Sequence, residues 1–325
     1  MRRPALVLTG MLLLGGPARA DSARVEVPIS QAVLPNNHIH YAIPLRIGGT
    51  TVQAMLDTGS TGLRVLPDTL AAADYEASDR GSRYSYSSGA LLEGVVAHAT
   101  IALGSAMSPA PIPFEAIRTI GCMAALPDCP ASRIAPADFG IGGEGFAKQG
   151  YRAILGTGFR TADVDNPLMA MGVRRWIVEL PRPGESNPGR LILNPTDDET
   201  KGYVMFALVQ GGNAVPGCLV AGGDGNARIC GRVMFDTGSP VIFVESRGAV
   251  GGLPWKDGTP AMLVVQNSSG QQLGTRFVIG AGTPYAVQAN PRAELPFTRI
   301  SGSAPYFAFS VLYDADAGAV GLKAR

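Results

Sequence analysis

Met55-Leu56-Asp57-Thr58-Gly59-Ser60 returns 179 positions later as Met234-Phe235-Asp236-Thr237-Gly238-Ser239, in the same apolar-apolar-Asp-Thr-Gly-Ser order. Each copy follows a short apolar run, Gln53-Ala54-Met55-Leu56 or Arg232-Val233-Met234-Phe235, that reads as a buried strand. An acid at the end of such a strand is costly to bury without a partner. The glycine permits a sharp turn at positive φ, and the Thr and Ser hydroxyls can bond a carboxylate or the opposite loop. One copy is a weak pattern that an ordinary strand-to-turn junction also satisfies. Two copies in matching contexts predict pseudo-symmetric halves that bring Asp57 and Asp236 together.

Two carboxylates in contact do not both ionise readily. At about 4 Å and an effective dielectric of about 20 their repulsion is roughly 4 kcal/mol, about a thousandfold separation between the first and second ionisations. Over a broad acidic range the pair holds one proton and one negative charge. It can then take a proton from water on one side and give one to a carbonyl oxygen or leaving amine on the other. This chemistry needs no metal, no cofactor and no nucleophilic side chain.

In these motifs the chain resembles the pepsin-like, bilobal family of aspartic endopeptidases, in which two Asp-Thr/Ser-Gly loops, one per lobe, meet in a central cleft. Other segments are similar in matching order. Tyr86-Ser87-Ser88-Gly89 resembles the tip of the family's flap hairpin, with Tyr84 an equal competitor for the flap tyrosine. Ala153-Ile154-Leu155-Gly156 resembles the segment that completes the first loop fold, and Asn166-Pro167-Leu168-Met169-Ala170-Met171-Gly172 the helix after it. Ile300-Ser301-Gly302, Phe309-Ser310-Val311-Leu312-Tyr313-Asp314 and Val320-Gly321-Leu322 resemble the C-terminal stretch. The resemblance implies an all-β fold of two lobes, residues 21–190 and 191–325. It makes Asp57 and Asp236 the catalytic pair, with Thr58 and Thr237 bracing the loops and Ser60 and Ser239 orienting the carboxylates. Gly59, Gly238 and Tyr86 would face a peptide or protein substrate. The rival reading from another class is a binding or inhibitor protein that keeps this fold without cleaving; the intact loops weigh against it.

The rest of the chain fits that frame. Arg2 and Arg3, an apolar run from Ala5 to Gly16 and Ala18-Arg19-Ala20 predict a signal peptide over residues 1–20, hence a protein exported to the periplasm or beyond. The 27 basic residues less Arg2, Arg3 and Arg19 leave 24 against 26 acidic ones, which argues against nucleic acid or an anionic membrane as the main partner. A monomer without a membrane span is expected. The 42 glycines and 25 prolines, scattered among short apolar runs, favour strands and turns. Only 36 residues separate Asp21 from Asp57, and Val25 onward already reads as strands, so no removable pro-segment is expected. Val25 to Ile47 reads as strand, turn at Leu34-Pro35-Asn36-Asn37, and strand. His38 and His40 alternate on it; a solvated strand face is expected there rather than a metal site. Pro109 to Gly150 reads as surface loops. Trp176–Leu180 and Arg190–Leu193 read as a long-turned hairpin between the halves. The second half is shorter, with 66 positions from Asp236 to Gly302 against 99 from Asp57 to Gly156.

Four cysteines in an exported chain predict disulfides. Of the three connectivities, Cys122 with Cys129 and Cys218 with Cys230 is favoured, since each pair brackets a short turn-forming segment. One departure from the family stands out. Where its members carry tryptophan after the first loop, this chain has Arg64. Near the cleft, Arg64 would donate to Tyr86, favour the ionised pair and attract acidic or polar substrate side chains. Alternatively it extends to solvent and touches neither.

Overall fold

In the strand Val25–Val33, Val25, Val27 and Ile29 are buried while Glu26, Pro28 and Ser30 are exposed, the period of two that a half-buried strand requires. The turn after it closes from Leu34 N–H to His38 O at 2.8 Å, with Asn37 in the left-handed region at φ 63°, which asparagine tolerates. The chain returns as Ile39–Ile47, antiparallel to the first strand, as its sequence predicts. The computed structural model describes residues 23–160, 162–209, 212–222, 227–248, 252–292 and 295–325. The expected signal peptide and residues 223–226 of the turn expected between Cys218 and Cys230 lie outside the described residues. Within them the protein is mostly β, in one mixed sheet of fifteen strands and another of seven.

The two Asp-Thr-Gly-Ser segments sit in the same local arrangement of strands. Thr50–Asp57 ends on Asp57. Ala153–Thr157 lies parallel to it, with Gly156 opposite Asp57, and antiparallel to Thr61–Val65 on its other side. Thr61–Val65 in turn runs parallel to Ile112–Cys122. In the second copy Ala227–Phe235 ends one residue before Asp236, and Arg299–Gly302 lies parallel to it with Gly302 opposite Phe235. Ile242–Ser246 pairs antiparallel with Arg299–Gly302 and parallel with Val287–Pro291. In both copies the aspartate therefore leaves the end of an interior strand, with neighbours on either side of the loop.

Glu76–Ser85 and Ala90–Ala99 form a hairpin whose turn closes from Tyr86 N–H to Ala90 O at 3.0 Å. Ala90–Ala99 is paired along its whole length with Ile112–Cys122. This corrects the reading of Pro109–Gly150 as loops throughout. Ile112 and Phe114 are buried as a strand requires, but Pro113 and the charged yet buried Glu115 interrupt the alternation that would have revealed it. The remainder, up to Gly150, holds short turns of 3₁₀ helix at Pro130–Arg133 and Pro136–Asp138 and an isolated bridge. The helix expected after Asn166 is a single turn, Pro167–Ala170, capped by the Asn166 side chain.

Arg175–Glu179 and Gly189–Leu193 pair antiparallel, and Arg175–Glu179 also pairs with Phe309–Asp314, which leads through a turn to Ala319–Ala324. Trp176 is fully buried at this junction and stacks on Tyr313 with ring centroids 5.5 Å apart. The last strands of the chain are thereby fixed beneath both aspartate loops.

The disulfides are Cys122–Cys129 and Cys218–Cys230, as expected; the second joins directly opposed residues of an antiparallel pair. Closing loops of this size adds about 2–3 kcal/mol each in the chain-entropy account. Replacing either pair by alanines is expected to lower the unfolding free energy in urea by about that amount, and a loss below about 0.5 kcal/mol would show that the surrounding strands hold the loop without it.

Candidate active site

Each loop is built by its own backbone first. Asp57 Oδ1 accepts the N–H groups of Gly59 at 2.8 Å and Ser60 at 3.1 Å, and its Oδ2 accepts the Ser60 hydroxyl at 2.5 Å. Asp236 Oδ1 accepts the Gly238 N–H at 2.9 Å, and its Oδ2 the Ser239 hydroxyl at 2.7 Å. The loops then clasp each other through their threonines. Thr58 N–H donates to Thr237 Oγ1 and Thr237 N–H to Thr58 Oγ1, both at 3.1 Å. Each hydroxyl reaches on to a carbonyl of the opposite strand, Thr58 to Phe235 O at 2.7 Å and Thr237 to Leu56 O at 2.6 Å.

The glycines serve the site differently from the sequence expectation. Neither Gly59 nor Gly238 has a positive φ. What each supplies is space for the other loop's acid. A Cβ on Gly59 would lie 2.4 Å from Asp236 Cγ, and one on Gly238 would lie 2.7 Å from Asp57 Oδ1. The two carboxylates are close neighbours, since that same Gly238 Cβ would also lie 3.2 Å from Asp236 Oδ1. Only about 5% of Asp57 and 8% of Asp236 is exposed. Burial, and then the neighbouring Asp57 charge, push the Asp236 carboxyl up to about 7 against the pull of Ser239 and Gly238. Asp57 accepts one more hydrogen bond than Asp236, so the negative charge is better accommodated on Asp57 and the proton on Asp236.

Tyr306 and Tyr313, which the sequence reading did not single out as site residues, reinforce one side. Tyr306 Oη lies 2.9 Å from Thr58 Oγ1 and 2.5 Å from Tyr313 Oη, and the two phenol oxygens stand 3.3 and 3.4 Å from Phe235 O. Their sequence signal is weak, because nothing local distinguishes a hydroxyl aimed at a loop from an aromatic in a strand.

A cavity of about 390 Å³ opens beside Asp57, bounded by Gly238, Ser239 and the hairpin residue Tyr86. Tyr86 faces this space; Tyr84 does not line it and instead lies under the Arg64 guanidinium, 3.3 Å from Cζ to the ring centroid. Arg64 overturns the solvent-facing expectation, while its place beside Tyr86 agrees with the other, its Cζ lying 6.0 Å from that ring's centroid. It is fully buried, so it does not reach solvent, and its charge is taken up by Glu115 at 3.1 Å, itself fully buried, rather than by the aspartates. Its Nη2 also donates to Thr61 O at 2.8 Å. The positive charge that would have drawn acidic side chains into the cleft is thus paired behind the hairpin.

His38 and His40 are a second correction. They are not on a solvated face: His40 is 2% exposed, and both line the same cavity. His40 Nε2 lies 3.1 Å from Glu144 Oε1 and His38 Nδ1 2.5 Å from Glu144 Oε2. Asn36 donates to the same carboxylate at 2.6 Å. Burial pushes the Glu144 carboxyl up, but the bonds from His38, His40 and Asn36 prevail and hold it at about 2. Among the described residues no cluster of His, Cys, Asp and Glu has the makings of a metal site.

Compared with models of known protein families and with curated proteins, the sequence matches none. The chemistry of the site is therefore argued from its geometry: two buried carboxylates in contact, unequally solvated, at the edge of an apolar cavity.

Two predictions follow from the electrostatics. An acid whose folded pKa lies near 7, against an ordinary value of 3.8, favours the folded state below that ordinary value and loses the advantage as pH rises through 7. Asp236 should thus lower stability by about 4 kcal/mol between pH 4 and pH 8. Asp236→Asn should remove most of that slope in urea unfolding, and an unchanged slope would mean that other groups set it. Separately, Arg64→Met leaves Glu115 buried without a counter-charge and should cost about 3–5 kcal/mol. Adding Glu115→Leu should restore most of it, and simple additivity of the two losses would refute the pairing.

Proposed function

We propose that the protein is an aspartic endopeptidase of the bilobal, pepsin-like kind. The observation that carries the reading is the contact of Asp57 with Asp236 across the Thr58–Thr237 clasp, each acid fitted against the other loop's glycine. A water between the carboxylates gives a proton to Asp57 while its oxygen attacks the peptide carbonyl carbon, and Asp236 gives its proton to the carbonyl oxygen. The resulting gem-diol collapses: Asp57 passes its proton to the leaving nitrogen, Asp236 takes one back from a diol hydroxyl, the C–N bond breaks, and an acid and an amine depart with the pair restored. Ser60 and Ser239 keep the carboxylates oriented, and Tyr86 covers the substrate from the hairpin side. The unequal surroundings of the two acids suit one to act as base and the other as acid.

Export fits the same reading. Two disulfides suit an oxidising compartment, and no helix among the described residues is long and apolar enough to cross a membrane.

Digestion of a peptide mixture at several pH values, with and without a statine-containing inhibitor, tests the proposal. Cleavage should be blocked by the inhibitor and fall as pH rises through about 7, where Asp236 loses its proton. Asp57→Asn and Asp236→Asn should each lower kcat/KM by at least ~10³-fold with the fold retained. Peptide binding without turnover in the wild-type chain would instead favour a silent binding protein.

A further inference from the structure

The cavity beside Asp57 has one end that the peptide-cleaving reading does not use. Its walls there are apolar, formed by Met55, Phe139, Ile141 and Ile154, and Glu144 with His40 lies against them. No lysine or arginine is among the residues that line the cavity. Away from the aspartate pair, the carboxylate facing this space is that of Glu144.

The hydrogen bonds specify what this end can accept. Asn36 Nδ2 donates to Glu144 Oε2 and His40 Nε2 bonds Oε1 at 3.1 Å, while His38 Nδ1 lies 2.5 Å from Oε2 and occupies the space on that side. A carboxylate offers about four lone-pair positions, so one acceptor site remains. A carboxylate accepts and does not donate, so His40 Nε2 carries the proton in that contact. In the neutral ring, Nδ1 then holds a lone pair. That atom is buried and has no hydrogen-bond partner among the described residues. That nitrogen is covered by Gly142, so the acceptor offered to the cavity beside its apolar wall is the Glu144 carboxylate. The loop presents Glu144 at a cost: its φ of 54° lies in the left-handed region, which a residue with a Cβ seldom adopts without a constraint that favours it. Gly142, two residues before it, is packed so closely that a Cβ there would lie 2.7 Å from Met55 Sδ and 3.4 Å from His40 Nδ1.

We infer that this end of the cavity is a specificity subsite for a basic substrate side chain, lysine or arginine, with the aliphatic stem along Met55, Phe139, Ile141 and Ile154 and the cationic head donating to Glu144, which His40 holds in place. This rests on the peptide-cleaving reading for the identity of the substrate, while the charge preference rests on the cavity alone. Stem and head are matched separately, as a long side chain with a polar tip requires. Glu144 and His40 act on substrate binding and take no part in the proton transfers.

The test compares short peptides that carry lysine or norleucine at one position at a time, which differ there only in the amine. Binding to the full exported chain carrying Asp236→Asn is measured by calorimetry at pH 7, and cleavage by the wild-type chain is measured in parallel. At one position the lysine peptide should bind at least tenfold more tightly than its norleucine counterpart, and Glu144→Gln should remove the difference while the norleucine peptide binds as before. Equal affinity for the pair at every position, or failure of both to bind, overturns the subsite whatever the cleavage result. A lysine preference in binding with no cleavage of any peptide by the wild-type chain upholds the subsite and overturns the protease. Should Glu144→Gln fail to fold, the lysine–norleucine comparison still decides.

Discussion

The reciprocal clasp of Thr58 and Thr237 is the constraint on which the site depends. When both are ionised, two carboxylates in contact repel each other by roughly 4 kcal/mol at about 4 Å and an effective dielectric of about 20, and even the singly protonated pair keeps a buried charge, so something must hold the loops together. The threonines do so with four buried hydrogen bonds, each loop donating through a backbone N–H and a hydroxyl. A buried hydrogen bond contributes about 0.5–1.5 kcal/mol net, and leaving its partner unsatisfied costs more. The clasp therefore resists separation more strongly than its net worth suggests, because opening the loops would break all four bonds at once and strand their buried polar groups.

Symmetry of sequence does not produce symmetry of environment. Both loops read Asp-Thr-Gly-Ser, yet Asp57 accepts the N–H of Ser60 as well as that of Gly59, while Ser239 N–H turns to the backbone oxygen of Asp236. Tyr306 and Tyr313 support Thr58 and Phe235 O alone. Small differences of this kind separate the acids: burial and the Asp57 charge raise Asp236. A water-activating pair needs such inequality, since two equivalent carboxylates would have no preferred donor and acceptor.

What could be read in the sequence was what is local or repeated. The aspartate loops, the first strand pair, the hairpin across 175–193 and the short-range cysteine pairs are each specified by neighbouring stretches of chain, and they occur in the structure. What could not be read depends on partners far apart in the chain. Arg64 meets Glu115 across 51 positions and His40 meets Glu144 across 104. Each of these side chains looks exposed until its partner is known, because an unpaired charge does not belong in a core. The charge of Glu115 also disguises the strand Ile112–Cys122, since it breaks the alternation of apolar residues. Gly59 and Gly238 were marked by the motif, but the reason for them is the approach of the opposite carboxylate, and no one-dimensional pattern contains that.

The Arg64–Glu115 pair shows why a buried charge can persist without stabilising the fold. Burial holds the Glu115 carboxyl above its ordinary range even against the pull of Arg64, the sign of an incompletely repaid desolvation. What the pair provides is geometry. Glu115 and the Thr61 carbonyl fix the guanidinium, and its face then holds the Tyr84 ring beneath it. With Tyr84 occupied and its ring 5.0 Å from that of Tyr86, the second tyrosine is the one left facing the cavity. A hydrophobic residue at position 64 could pack against both rings without distinguishing them; a planar cation tied to Glu115 selects one. The choice between two tyrosines two residues apart is thereby made by a charge that never reaches the site.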